Sequence, residues 1–278
     1  MKFAKNRFIV KLVRKESWCC TLKFDLHCHT KEGSIDSKVT LERYVELLKE
    51  QDFDGFMITD HNSYKGCRAW DRIKHRPEFA DFVVLRGVEY DTKDAGHVLV
   101  IMPDNLYLPI LNIRGMTLRR LLKIVHRFGG ILGPAHPFGV RSSSAMYFKN
   151  MKMDLFERFD FVETFNTCES PRSNELALQL AEKYDLPTFG GSDAHEERYV
   201  GMAETVTHDE ITCNNDLIHA VKAAHPFYAG GIIREYTAKA KYKDHWTGVW
   251  GYKIYNRGLS KLISPYRKYH HMKLPFRS

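Results

Sequence analysis

Short apolar runs recur along the chain at 21–28, 53–59, 82–90, 97–102, 130–135, 159–164 and 187–191. They are rich in β-branched and aromatic residues and are flanked by Gly, Asp or Pro, which predicts strands. Amphipathic stretches with helical spacing lie at 40–51, 117–128, 173–184 and 214–224. Thr40 opens the first of these and is followed at the third position by Arg43 rather than an acid. A hydroxyl cap without a capping box is therefore expected. Helices falling between strands predict parallel β/α units that close as a barrel or a doubly wound sheet. After Gly231 the periodicity fades into a stretch dense in Lys, Arg, Tyr and Trp. The expected organisation is a basic segment at 1–20, a barrel domain at 21–230 and a basic, aromatic-rich extension at 231–278.

The length of 278 residues suits one α/β barrel. No run approaches the roughly 18 apolar residues of a membrane span, and the basic N-terminus lacks the apolar core of a secretion signal. Six cysteines without a CxxC pair read as reduced thiols, so a cytoplasmic protein is expected. The net charge of +8 is uneven: 1–15 carries +6, 231–278 carries +9, and 16–230 is left with −7. An acidic middle suits cations, while basic ends could meet nucleic acid or an anionic membrane surface. Trp246, Trp250 and the tyrosines of the extension could stack bases, although anchoring the extension to the barrel accounts for most of them.

The chemistry begins at His27 and His29, which share a face of the first strand with Cys28 opposite. Two adjacent imidazoles suit a divalent metal such as zinc, manganese or iron, but a core histidine beside a surface one explains an isolated HxH as well. The other strand ends decide between these. His61 ends the second strand, Glu89 the third, His136 the fifth, and Asp193 with His195 the seventh. His97 opens the fourth, and Asp36 lies in the loop after His29. Packing alone does not explain such a set, since buried charge is costly unless paired or metal-bound, and β/α barrels build their sites where these loops converge.

In order and spacing, DLHCHT (25–30), ITDHN (58–62), GVE (87–89), AHP (135–137) and GSDAH (191–195) resemble the polymerase and histidinol phosphatase (PHP) family over roughly residues 24–201. The resemblance implies a distorted (β/α)7 barrel of the PHP type that holds two or three divalent ions and hydrolyses phosphate esters. Its ligand set falls on His27, His29, Asp36, His61, Glu89, His97, His136, Asp193 and His195. His27, His29, Glu89 and Asp193 would hold one ion. Glu89, His97 and His136 would hold a second, and Asp36, His61 and His195 a third. Of these, His27, His29, Glu89 and Asp193 are the expected catalytic core.

Asp25, Asp60 and Glu163 are candidates to orient imidazoles. Arg141 and Arg198 are candidates for substrate phosphate because a guanidinium fork matches it, with Asn166 and Lys65 behind them. The expected substrate is a small phosphomonoester, a nucleotide or a short nucleic acid. The competing readings are a metal-stabilised nucleic-acid-binding module and, more remotely, an amidohydrolase-like C–N hydrolase. The latter would use a carboxylated lysine, and no lysine ends a strand at the corresponding position.

Overall fold

The structure, a computed structural model, describes residues 21–139, 144 and 153–234. Strands β1 (Leu22–Cys28), β2 (Gly55–Ile58) and β3 (Val83–Asp91) pair in parallel, with α1 (Leu41–Lys49) and α2 (Lys65–Ile73) as crossovers. β4 (His97–Ile101) returns antiparallel to β3, and β5 (Ile131–Pro134), reached through α3 (Leu118–Arg127), is antiparallel to β4. After α4 (Met153–Phe156), a parallel pair, β6 (Val162–Asn166) and β7 (Thr188–Gly191), flanks α5 (Pro171–Tyr184). β8 (Ala203–Thr207) and β9 (Phe227–Gly231), separated by α6 (Asn214–Lys222), add antiparallel strands beyond β1.

The larger sheet runs β5-β4-β3-β2-β1-β8-β9. The β6-β7 pair is stitched to both sides of its curl. Asp160 N, just before β6, donates to Leu132 O on β5 at 2.9 Å, and Asp193 N donates to His27 O on β1 at 2.8 Å. The result is a distorted α/β barrel of the kind the motifs implied, built from a mixed rather than a wholly parallel sheet. The cause is local. Only Thr92–Gly96 joins β3 to β4, far short of the dozen or more residues a parallel crossover needs.

Thr40 caps α1 as expected, its hydroxyl accepting from Arg43 N, and Thr117 and Ser170 do the same for α3 and α5. Helix α2 was not anticipated: no side chain caps its start at Tyr64, and Gly66 weakens its pattern. Strands β8 and β9 also escaped, because β8 alternates with polar residues over only five positions and β9 ends in two glycines.

An apolar layer of Phe24, Leu26, Met57, Leu85, Leu99, Phe161 and Phe189 is buried together with α6. A second layer packs α1, α2 and α3 against the sheet through Tyr44, Leu48, Trp70, Leu121 and Val125. Among the described residues no helix is long and apolar enough to cross a membrane. Arg141 and nearly all of the basic segments at 1–20 and 231–278 lie outside the described residues.

Candidate metal centre

Parallel strands β1, β2, β3 and β7 bring their C-terminal ends to one rim of the barrel. The reversal of β4 brings its first residue to the same rim, and His97 pairs in register with Asp91. That geometry explains why a ligand-type residue opens one strand while others close theirs. The register of β1 slips between Asp25 and Cys28, a bulge that re-aims the end of the strand. Backbone φ is positive at His136 (32°) and Asp193 (51°), conformations that non-glycine residues adopt rarely and that cluster at functional sites.

All nine residues singled out by the motifs converge there. His27 Nε2 and His29 Nε2 are 3.1 Å apart, while Cys28 is buried on the other side with Sγ against Asp25 O. Glu89 lies within 3.5 Å of ring nitrogens of His27, His29, His61, His97 and His136. Asp193 Oδ1 is 3.2 Å from His29 Nε2. Asp36 Oδ2 sits 3.7 Å from His61 Nε2 and 3.5 Å from His195 Nε2. His27, His29 and Glu89 are fully buried, whereas Asp36, His61 and His195 are 43%, 27% and 26% exposed and form the open side.

The donor atoms fit divalent ions. Three triads bring one ligand atom each within 4.8 Å of one another: His27–His29–Glu89, His29–His61–His195 and His61–Glu89–His97. Ligands about 2.1 Å from a shared ion lie some 3 to 3.5 Å apart, the spacing seen here. Buried Glu89 Oε2 and His61 Nδ1 have no hydrogen bond, although they are 2.9 Å apart, because the approach lacks hydrogen-bonding geometry. Two buried donor atoms this close and unbonded to each other could both ligate one cation. The third triad joins His61, rather than His136, to Glu89 and His97, so the donors form one continuous cluster.

The charges are interlocked. Burial pulls His61 down, but Glu89 and Asp36 override it and raise the ring to about 10. His27 is also raised despite burial, by Glu163, Glu89 and Asp193. His29 goes the other way, to about 3, through burial and the rings of His195 and His61. Burial works to raise Glu89, yet His97, His61 and His27 hold it well below the ordinary carboxylate range.

Behind the donors stand the groups that aim them. Glu163 Oε1 is 2.8 Å from His27 Nδ1, and its other oxygen accepts from His136 N. Asp60 does not reach an imidazole directly. It accepts from Ser34 Oγ at 2.9 Å, and Ser34 Oγ lies 3.2 Å from His29 Nδ1. Asp25 orients backbone instead, accepting from Ser192 N at 2.8 Å. Burial pushes Asp25 up to about 6 and Asp60 up to about 7, against the hydrogen bonds they accept.

Of the arginines and weaker candidates, Arg198 is 68% exposed and paired with Glu196. Asn166 is buried and donates to Glu163 at 3.1 Å. Lys65 opens α2 on the surface.

Asp91, Arg114 and Arg234 stand at the centre outside the motif positions. Asp91 sits 2.9 Å from His97 Nε2 and is gripped by Asn62 and by Arg114. Arg234 donates to the carbonyls of Ser192 and Asp193 at 2.6 and 3.0 Å and lies 3.8 Å over the Tyr199 ring. Asp91 was legible in hindsight, two residues past Glu89 on the same face of β3.

The family model for the PHP domain matches residues 25–185, and one described as PHP-associated matches 171–226. An uncharacterized protein of Methanocaldococcus jannaschii, MJ0417, is 27% identical over 187 residues, covering 66% of this chain and 69% of the relative. Among solved structures, the lesion-specific endonuclease PfuEndoQ from Pyrococcus furiosus superposes with a TM-score of 0.59 at 18% identity. That match covers 76% of this chain and 58% of the endonuclease. A two-domain protein from Bacteroides vulgatus containing a predicted PHP-like metal-dependent phosphoesterase gives 0.54 at 16% identity, over 76% of this chain and 64% of its own. At such identities the two structures establish the shared fold.

Proposed function

The chain belongs to the PHP domain family, and from that premise we propose that it is a hydrolase that cleaves phosphate esters with water, using divalent ions held by the nine clustered residues. The observation that carries this reading is Glu89, whose carboxylate meets five imidazoles in a buried pocket. Its supports are a donor set of nitrogen and oxygen without thiolate, and a fold shared with an endonuclease and with a PHP-like phosphoesterase. Zinc, manganese and iron all accept such donors. When bound, two or three ions would supply Lewis acidity that activates water and offsets charge on the phosphoryl oxygens.

The chain's own part is positioning, which phosphoryl transfer chiefly requires. Glu163 fixes the ring of His27, the Ser34–Asp60 pair fixes His29, and Asp91 fixes His97. Rings held in this way need little reordering when they take up an ion. The substrate would enter on the open side, where Asp36, His61 and His195 reach solvent. Arg114, bonded to Asp91, brings a guanidinium to the same rim, where a phosphate's second oxygen would meet it.

The test is hydrolysis of p-nitrophenyl phosphate and bis(p-nitrophenyl) phosphate by protein reconstituted with manganese, zinc or iron. A Glu89→Gln variant should lose at least about a thousandfold in rate, since several kcal/mol of charge stabilisation go with the ions. Equal rates for the two proteins, or none for either, would reject the reading.

A further inference from the structure

Acidic overall between its ends, the barrel is nonetheless polarised. Residues 105–153 contain eight Lys or Arg and not one Asp or Glu. Helix α3 lies in this stretch, and its exposed charges are Arg119, Arg120, Lys123 and Arg127. Arg120, Lys123 and Arg127 follow helical spacing and form one row. Like charges a turn apart repel, so the row destabilises the isolated helix and calls for an anion.

Helix α2 repeats the pattern with Lys65, Arg68 and Arg72 on its exposed side. Its one acid, Asp71, is already engaged by Arg86, Lys74 and the Tyr107 hydroxyl. By contrast, α1 and α5 intersperse the signs, with Arg43 paired to Glu46 and Arg172 to Glu175.

The two basic rows are joined through one segment of chain. The connection between β4 and α3 runs between them: Arg68 lies 5.6 Å over the Tyr107 ring, and Tyr64 N donates to Asn112 Oδ1 at 3.3 Å. That connection then reaches the rim of the histidine cluster at Arg114, which bonds Asp91, and passes directly into α3. A basic track therefore leads to the open side of the site.

We infer that the face made by α2, the 102–117 connection and α3 binds nucleic acid, seating its sugar-phosphate backbone and presenting one phosphodiester to the cluster. Arg120 to Arg127 spans about 10.5 Å at 1.5 Å per residue. With one phosphate per ~3.4 Å of duplex axis on each strand, a row laid along a duplex would match about three phosphates. The inference rests on the phosphoesterase reading for its chemistry but not for its binding.

The experiment is anisotropy of labelled single- and double-stranded oligonucleotides on the full chain across roughly 50–200 mM salt. It compares wild type, Arg120→Gln/Lys123→Gln/Arg127→Gln, Arg68→Gln/Arg72→Gln on α2, and the control Arg172→Gln/Lys183→Gln on α5. The α3 variant should bind at least tenfold more weakly, with a salt slope lower by about 2 to 3. The α2 variant, which also covers the case of a poorly folded α3 variant, should shift the same way, and the α5 control should match wild type. Hydrolysis of p-nitrophenyl phosphate should be unchanged in all of them. Unchanged affinity in both helix variants, equal loss in the control, or binding to phosphatidylserine vesicles in place of oligonucleotides would overturn the inference. Salt-dependent binding with no hydrolysis of any phosphate ester would leave this surface standing and reject the phosphoesterase reading. Hydrolysis of small esters without oligonucleotide binding would do the reverse.

Discussion

Each imidazole at this centre is useful only in the tautomer and orientation its neighbour imposes. Glu163 has the clearest such role: it holds His27 Nδ1 at 2.8 Å from within the barrel, so that Nε2 faces the other donors. Replacing Glu163 with Ala should lower metal affinity about 10–100-fold. Competition against a chelator measures this, with circular dichroism to show that the fold is kept. A variant that binds metal like wild type would show that Glu163 does not position His27 for the ion.

The elevated ring of His61 makes a separate prediction. In metal-free protein its pKa rises from 6.5 to about 10. The stability it contributes is therefore fully present below pH 6.5 and is lost as pH climbs through about 10. A metal ion needs the ring unprotonated. Melting of chelated protein should accordingly fall over that window, while the gain on adding metal should grow. The opposite trends would show that His61 is neutral without metal.

At the scale of elements, the site depends on how closely β7 approaches β1. A Cβ on Gly191 would lie 2.1 Å from the Cβ of His27 and 2.9 Å from Glu163 Oε1. Gly→Ala in an unstrained strand is often mildly stabilising through the unfolded state. Here it should instead destabilise by about 1–3 kcal/mol and weaken metal binding, since either β7 or His27 must move. A calorimetric melt of Gly191→Ala that matches or exceeds wild type would contradict this packing.

The same elements show what the sequence could reveal. The ligand-type residues were legible because each closes or opens an apolar run, and alternation along β1 alone placed His27 and His29 on one face. Ser34 was not, because its bridge from Asp60 to His29 spans 26 residues in one direction and 5 in the other. Arg234 was hidden for the same reason, clamping carbonyls 41 and 42 residues away. The parallel order expected from alternating helices failed where a short link forced β4 to turn back. At that link strand direction is set by connection length, which the apolar pattern does not report.

Considered as a whole, the molecule is a barrel whose rim holds a concentration of mutually dependent charges. Without cations the carboxylates there balance through protonated histidines and the Arg114 guanidinium on Asp91. Metal should therefore stabilise the entire fold and not only its rim. At a free concentration near a thousand times Kd the gain is about 4 kcal/mol. For a domain of this size that corresponds to roughly 10 °C in Tm, readable by scanning calorimetry with and without chelator. A melt indifferent to metal would mean that the cluster is satisfied by its own protons. The uneven charge of the surface acts at this scale too, concentrating anions on the α2–α3 face beside the open side of the site.

Metal-dependent hydrolysis is tested most directly by following turnover of p-nitrophenyl phosphate as metal is titrated into the stripped protein, with bound ions counted by elemental analysis. Turnover should rise with bound metal, reach a plateau at two to three ions per chain, and vanish in a His29→Ala, Glu89→Ala double variant. Ions that bind at the same stoichiometry without turnover above that variant would contradict it, and would leave a metal-stabilised binding module in its place.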